Sequence, residues 1–324
     1  MDPQLFQRDI ERTPETLRSL AITIGDRNPW RDLLSAGDQS GRKIVLLGMG
    51  SSHFANSVLA LRLQAHGIWA FATLASTDPL PAVKENDLVI AVSAGGFSAE
   101  TVSAITKFSG KCQTIAVTNT SGSLIEQACD SHISMMAEIE EGGVACRSFA
   151  HTLALHFALL EVLTGSPRAS EIITLAAEST QDLLDSREQW LAPLSEILLG
   201  PDGTTIVAPS RRLASAQQSA LMLREGPRLP AIACETGDWS HIDVYLTKTT
   251  DYRMLVFPGS DWEGQLLDWC SQRGSTVAVV GGELPSTSMT LRYVNDSNDD
   301  VRLLTEALVI ECIAAEKWTN QTSE

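Results

Sequence analysis

Two hydroxyl-rich turns and one acid–base pair are the residues of this chain whose types and spacing could do chemistry. Ser51-Ser52 follows Gly48-Met-Gly50 at the end of an apolar run, and Ser93-Ala-Gly-Gly-Phe-Ser98 ends a second run, Leu88 to Val92. Each turn leads into a stretch with helical patterning. Backbone N–H groups, small hydroxyls and the positive end of a helix dipole together suit an anion. Neither turn fits G-x-x-x-x-G-K-[ST], and the first fits G-x-G-x-x-G poorly, so a nucleotide is not the expected ligand. Few basic residues lie near these turns, which leaves Arg147, Arg211, Arg212 and Arg224 as the candidates for an anion. Ser148, beside Arg147, opens a long helix and either caps it or touches the ligand; Arg147 is either a surface residue or a contact. Glu225 closes a helix, where the dipole disfavours a carboxylate. His241 follows in Gly237-Asp-Trp-Ser-His241. A Glu and a His offer two proton-transfer roles, as sugar ring opening and proton movement between neighbouring carbons require. A loop histidine is also often an ordinary hydrogen-bonding residue.

The elements that must hold these residues alternate. The patterning predicts a polar helical region over 1–40, then strands at Lys43–Leu47, Trp69–Ala75, Leu88–Val92, Thr114–Thr118 and His132–Met135. Helices are expected at His53–His66, Ala99–Phe108, Leu124–Ala128 and Ser148–Leu163. Thr164-Gly-Ser-Pro167 breaks the chain, and one or two helices over Glu171–Leu199 bridge to a second half. There the strands are Thr204–Ala208, Tyr252–Phe257, Thr276–Val280 and Met289–Val294, with helices Leu213–Glu225, Trp262–Gln272 and Val301–Trp318. The segment between Glu225 and His241 reads as a Pro/Gly-punctuated loop. Alternation of this kind predicts an α/β protein with two doubly wound parallel sheets, flavodoxin-like in type and related by a pseudo-twofold, divided into residues 1–167 and 168–324. Only the first half keeps serine-rich turns after two strands, so one ligand pocket is expected rather than two.

The whole-chain properties narrow the class. The chain has 324 residues, 44% hydrophobic and 20% charged, enough for two cores. A net charge of −16 argues against nucleic acid or an anionic membrane as partner. Six scattered cysteines without C-x-x-C spacing predict reduced thiols in a cytoplasmic protein, with no zinc site. The N-terminus is not expected to be a signal peptide, and no apolar run reaches a membrane span.

In order and spacing these motifs resemble the sugar isomerase (SIS) family in its two-domain form, over about residues 30–318, the isomerase half of glucosamine-6-phosphate synthase being a well-known example. Gly50-Ser51-Ser52 resembles the family's Gly-Thr-Ser. Ser93-Ala-Gly-Gly-Phe-Ser98 resembles its phosphate loop, Ser-x-Ser-Gly-Glu-Thr. Val144-Ala-Cys-Arg147 resembles its Val-Ala-Ser/Thr helix start. Gln218-Ser-Ala-Leu-Met-Leu-Arg-Glu225 and Gly237-Asp-Trp-Ser-His241 resemble its catalytic helix and loop, sixteen residues apart from Glu225 to His241. The resemblance implies Glu225 as the base moving a proton between C1 and C2 through a cis-enediol. It implies His241 as the ring-opening group, often reaching across from a neighbouring subunit. Ser51, Ser52, Ser93, Gly95, Ser98, Arg147, Ser148 and Gln218 would line the substrate.

The implied partner is an anionic small-molecule sugar, in a homodimer with its pocket at the subunit interface and no cofactor or metal. The departures bear on the substrate. Gly95 stands where the family has a serine, Phe97 where it has Glu, Ser98 where it has Thr, and Met222 replaces the synthase's helix lysine. A loop with one hydroxyl fewer suits a singly charged sulfonate, as in sulfoquinovose, as well as a 6-phosphate. The protein is expected to lack the synthase's glutaminase region and lysine-bearing tail, so aldose–ketose isomerisation is expected rather than amino transfer. An amino-sugar-phosphate deaminase or deglycase and a non-catalytic sugar-binding regulator are the alternatives.

Overall fold

The computed structural model describes residues 1–34 and 41–323. Along the chain run α1 (Pro3–Glu11), α2 (Thr13–Asp26), α3 (Trp30–Leu33), β1 (Lys43–Gly48), α4 (Gly50–Ala65), β2 (Trp69–Leu74), β3 (Leu88–Val92), α5 (Ala99–Thr106), β4 (Gln113–Thr118), α6 (Leu124–Gln127), β5 (Ser131–Ser134) and α7 (Arg147–Thr164). Then follow α8 (Ala169–Asp185), α9 (Arg187–Leu198), β6 (Thr204–Ala208), α10 (Leu213–Glu225), β7 (Ala231–Glu235), α11 (Thr236–Trp239), β8 (Arg253–Val256), α12 (Glu263–Gln272), β9 (Thr276–Val280), β10 (Met289–Leu291), α13 (Asp299–Thr305) and α14 (Ala307–Ser323).

Two compact units result. One holds Glu15–Glu140 and Arg147–Thr174; the other holds Met1–Pro14, Glu141–Cys146 and Leu175–Glu324. Compared with a single cut after 167, the difference lies mainly in α1, whose Phe6 and Ile10 pack in the same core as Trp318 of α14.

Each unit contains one five-stranded sheet, ordered β2-β1-β3-β4-β5 and β10-β9-β8-β6-β7. Read from its other edge the second order is β7-β6-β8-β9-β10, the same 2-1-3-4-5 winding. All pairings are parallel. The expected α/β, doubly wound class is the one found. Central strands such as β3 and β6 are buried throughout, as parallel strands with helices on both faces must be. In β6 the period of two is visible: Ile206 and Ala208 join one core and Val207 the opposite one.

Two elements differ from the sequence expectations, and one expectation is only partly covered. A fifth strand, β7, lies where a loop was expected between α10 and His241. It is a short edge strand preceded by Pro227 and Pro230, so punctuation masked it. The terminal helix is two, α13 and α14. Of the helical region expected over 1–40, residues 35–40 lie outside the described residues.

The core of the β1–β5 unit encloses two histidines. His151 bonds the Met135 carbonyl through Nδ1 (2.8 Å) and Thr16 Oγ1 through Nε2 (3.0 Å), and burial holds its pKa at about 4. His156 is enclosed beside the Ala55 backbone, and burial holds it at about 3. Both values lie below that of an unfolded histidine, so between about pH 6.5 and pH 4 the unfolded chain binds more protons than the folded one. Stability is therefore present above that window and is lost as pH falls through it, by about 1.4 kcal/mol per pH unit per histidine. Urea unfolding of this unit is expected to show about 4 kcal/mol less stability at pH 5 than at pH 7. A flat profile over that range would show that the two rings are not held neutral.

Candidate functional site

In a parallel sheet every strand ends at the same edge, so the loops after β1, β3 and β4 share one rim. The strand order reverses between β1 and β3, where open α/β sheets receive ligands. The Ser51-Ser52 and Ser93–Ser98 turns both stand at that switch.

After β1, Gly50 takes φ +51 and opens α4, placing half-buried Ser51 and Ser52 in its first turn. Gly48 is closely packed: a Cβ there would lie 3.0 Å from both Ser52 Cβ and Asn56 Nδ2 and would press on them. Asn56 is fully buried, and its amide atoms have no hydrogen-bond partner among the described residues. His53, next to Ser52, is half-buried, and burial lowers its pKa below that of a free imidazole.

After β3, Ser93 Oγ accepts from the Gly96 amide (3.2 Å), which leaves its own proton for another acceptor. Ser98 caps α5, accepting from the Thr101 amide (3.3 Å) and hydroxyl (3.1 Å), and donates to the Glu100 carboxylate (2.9 Å). An anion binding at Ser98 Oγ must therefore take that proton from Glu100. Gly96 has φ +71 and packs on buried Ser123, which a Cβ would overlap at 2.4 Å. Gly95 is different: it is exposed, its φ is outside the left-handed region, and a Cβ there would meet nothing within 4 Å. The hydroxyl absent at Gly95 is thus not excluded by space. Phe97 at the loop tip is 57% exposed. Gly95→Ser is expected to fold like the parent chain and to bind glucose 6-phosphate about tenfold more tightly, the lower range for one hydrogen bond to a charged group. Calorimetric titration of both chains checks this.

The sequence reading passed over Asn119, just beyond β4. Its amide donates to the Ala94 carbonyl (2.9 Å), its Oδ1 accepts from the Ala137 amide (2.9 Å) and its Nδ2 donates to the Glu138 carbonyl. It ties the anion loop to the segment after β5. The available signal was its place at the end of a third strand of the same sheet.

Arg147 is fully buried and donates from Nε to the Ala137 carbonyl (2.9 Å) and from Nη2 to the Ile139 carbonyl (2.6 Å). Its guanidinium braces the segment before α7. Ser148 is buried too, and its amide goes to Glu140 Oε1 (3.0 Å). The other flagged arginines are also engaged. Arg212 is buried against Glu306 and Asp299, Arg211 pairs with Asp299 (2.8 Å), and exposed Arg224 bonds the Ala220 carbonyl of its own helix.

In the β6–β10 unit, Gln218 on α10 is fully buried and donates to the Ala145 carbonyl (2.7 Å); its Oε1 has no partner among the described residues. Glu225 is half-buried at the C-terminal end of α10, and His241 is exposed beyond α11. The two stand at opposite edges of one sheet. Helix α10 returns from the carboxyl edge of β6 to the amino edge of β7, and β7 then crosses back before His241. Its five residues span about 16 Å at about 3.3 Å each. Hence Glu225 and His241 of one chain do not meet.

Among the described residues no group of three or more His, Cys, Asp or Glu could hold a metal ion. The six cysteines are free thiols, and among the described residues no helix is long and apolar enough to cross a membrane.

The winding of both sheets is that of SIS-type α/β domains, and residues 39–162 match the SIS domain model. The glutamine–fructose-6-phosphate aminotransferase (isomerizing) of Sulfurisphaera tokodaii is 24% identical over 309 residues, covering 95% of this chain and 51% of that protein. The chain thus spans about half the length of that relative. Two solved structures share the fold over nearly the whole chain. Tagatose-6-phosphate ketose/aldose isomerase from Escherichia coli superposes with a TM-score of 0.79 at 17% identity, covering 98% of this chain and 94% of that one. Glucosamine-6-phosphate deaminase from Thermotoga maritima gives 0.75 at 17%, covering 98% and 95%.

Proposed function

We propose that this chain is an aldose–ketose isomerase acting on a hexose with an anionic group at C6, a phosphate or a sulfonate. The observation that carries the reading is the pair of hydroxyl loops, Ser51-Ser52 and Ser93–Ser98, at the strand-order switch. They offer small neutral donors at a helix start, where an anionic group is stabilised without a basic side chain. Ser51, Ser52, Ser93 and Ser98 hold the anionic group and the sugar, while Arg147 and Gln218 keep the neighbouring segments in place. Glu225 takes the proton from one carbon of the C1–C2 pair and returns it to the other through a cis-enediol. His241 moves the proton that opens the ring. Because Glu225 and His241 lie on opposite edges of their sheet, the histidine that serves a given Glu225 comes from a second copy of the chain, in a homodimer. The names of the matched relatives, sugar-phosphate isomerases and an aminotransferase, support the substrate class.

Incubation with glucose 6-phosphate and with sulfoquinovose in D2O tests the reading directly. Loss of the C2 proton signal with formation of the ketose is the expected result. No exchange with either sugar would sink it, and release of ammonia from glucosamine 6-phosphate would replace it with the deaminase reading.

A further inference from the structure

The second sheet has the same winding as the first, so its loop after β8 is the counterpart of the anion loop after β3. Its donors are already spent. The Gly259 and Ser260 amides both go to the Glu263 carboxylate, and the Gly259 carbonyl accepts from Arg211 (2.9 Å), which is itself held by Asp299. The tip of this closed loop carries Trp262, 60% exposed.

Trp262 lies against Gly237, the first residue of the segment that ends in His241. A Cβ on Gly237 would stand 2.8 Å from Trp262 Cδ1 and 3.3 Å from Cγ. Gly237 does not have a left-handed φ, so the glycine answers to close approach and not to backbone freedom. The same turn is fixed from within. Glu235 accepts the Gly237 and Asp238 amides (2.7 and 3.0 Å), and Trp239 is buried beneath with Nε1 donating to the Tyr252 hydroxyl (2.7 Å). The His241 amide hangs from the Asp238 carbonyl (2.8 Å). Trp262 is therefore the cover laid over this turn from the other side.

We propose that the loop after β8 holds no ligand and serves as a rigid mount whose Trp262 positions the His241 turn. Trp262 is a positioning residue: it touches no substrate and acts through the turn it covers. This rests on the role given to His241 above. It also supplies a physical reason for Gly237 in the Gly-Asp-Trp-Ser-His sequence, since any side chain there displaces the indole.

The test uses Trp262→Ala, Trp262→Phe, Gly237→Ala, His241→Ala and the Trp262→Ala/His241→Ala double variant of the full chain. Amide hydrogen exchange at 237–242 is expected to quicken about tenfold or more in Trp262→Ala and Gly237→Ala, and to return toward the parent rate in Trp262→Phe. The isomerisation kcat of Trp262→Ala is expected to fall about 10- to 100-fold with little change in KM, the range for a catalytic group held loosely. The double variant should be no slower than His241→Ala alone. Unchanged exchange, an unchanged kcat, or losses that multiply in the double variant would each overturn the proposal. If His241→Ala turns over at the parent rate, the role given to His241 fails; if no C6-anionic sugar is converted, the isomerase reading fails. The exchange rates still decide separately whether Trp262 orders the turn.

Discussion

Replacing Glu225 by glutamine is expected to lower the isomerisation rate about 10²- to 10⁴-fold and to leave the fold in place. The size is that of removing a general base from a proton transfer between carbons. Glutamine keeps the length and the planar end group and loses only the basicity, so sugar binding should persist while C2 exchange in D2O disappears. The fold should tolerate the change because of where Glu225 sits. It closes α10, a helix end at which a negative charge works against the dipole. The turn beyond it is fixed by other groups: the Gly226 amide bonds the Met222 carbonyl (3.2 Å), the Leu229 amide bonds Leu223 (2.9 Å), and Trp318 covers Gly226. A variant that keeps its exchange rate would remove Glu225 from the chemistry. One that loses activity together with several kcal/mol of stability would make its role structural. Thermal unfolding and proton NMR on the same preparation separate these outcomes.

Two inactive chains are expected to make an active dimer. In a Glu225→Gln/His241→Ala heterodimer, one site combines the intact Glu225 of one chain with the intact His241 of the other, and the second site lacks both. A heterodimer purified through two different tags should therefore turn over at about half the rate of the parent dimer, and each mutant homodimer should be nearly silent. The reason lies in the path of the chain: α10 delivers Glu225 to one edge of the second sheet, and β7 carries His241 to the other. If the histidine served its own chain, every site in the heterodimer would lack one group and no activity would return. An inactive heterodimer whose parent dimer is active would thus exclude the crossed arrangement while leaving the isomerase reading in place.

The alternation of strands and helices was legible along the sequence because buried parallel strands are short unbroken apolar runs. Leu88–Val92, Thr204–Ala208 and Thr276–Val280 stand at their expected bounds for that reason. The placement of the serine turns on one rim was legible too, since parallel strands all end at the same edge. β7 was not: Ala231–Glu235 is an edge strand of five residues after two prolines, and its pattern is that of a loop. That single omission hid the separation of Glu225 from His241, because an interval of sixteen residues has the same length whether or not a strand reverses its direction. Only the tertiary structure decided what the polar side chains do. Arg147 and Arg212 carry charge in the sequence, but buried guanidinium groups must be paired or bonded: the Ala137 and Ile139 carbonyls just upstream take Arg147, and the carboxylate of Glu306, far along the chain, takes Arg212. Likewise Gly95 and Gly96 are neighbours of one type. One faces open space and the other the Ser123 side chain, a distinction that depends on what the fold brings against each of them.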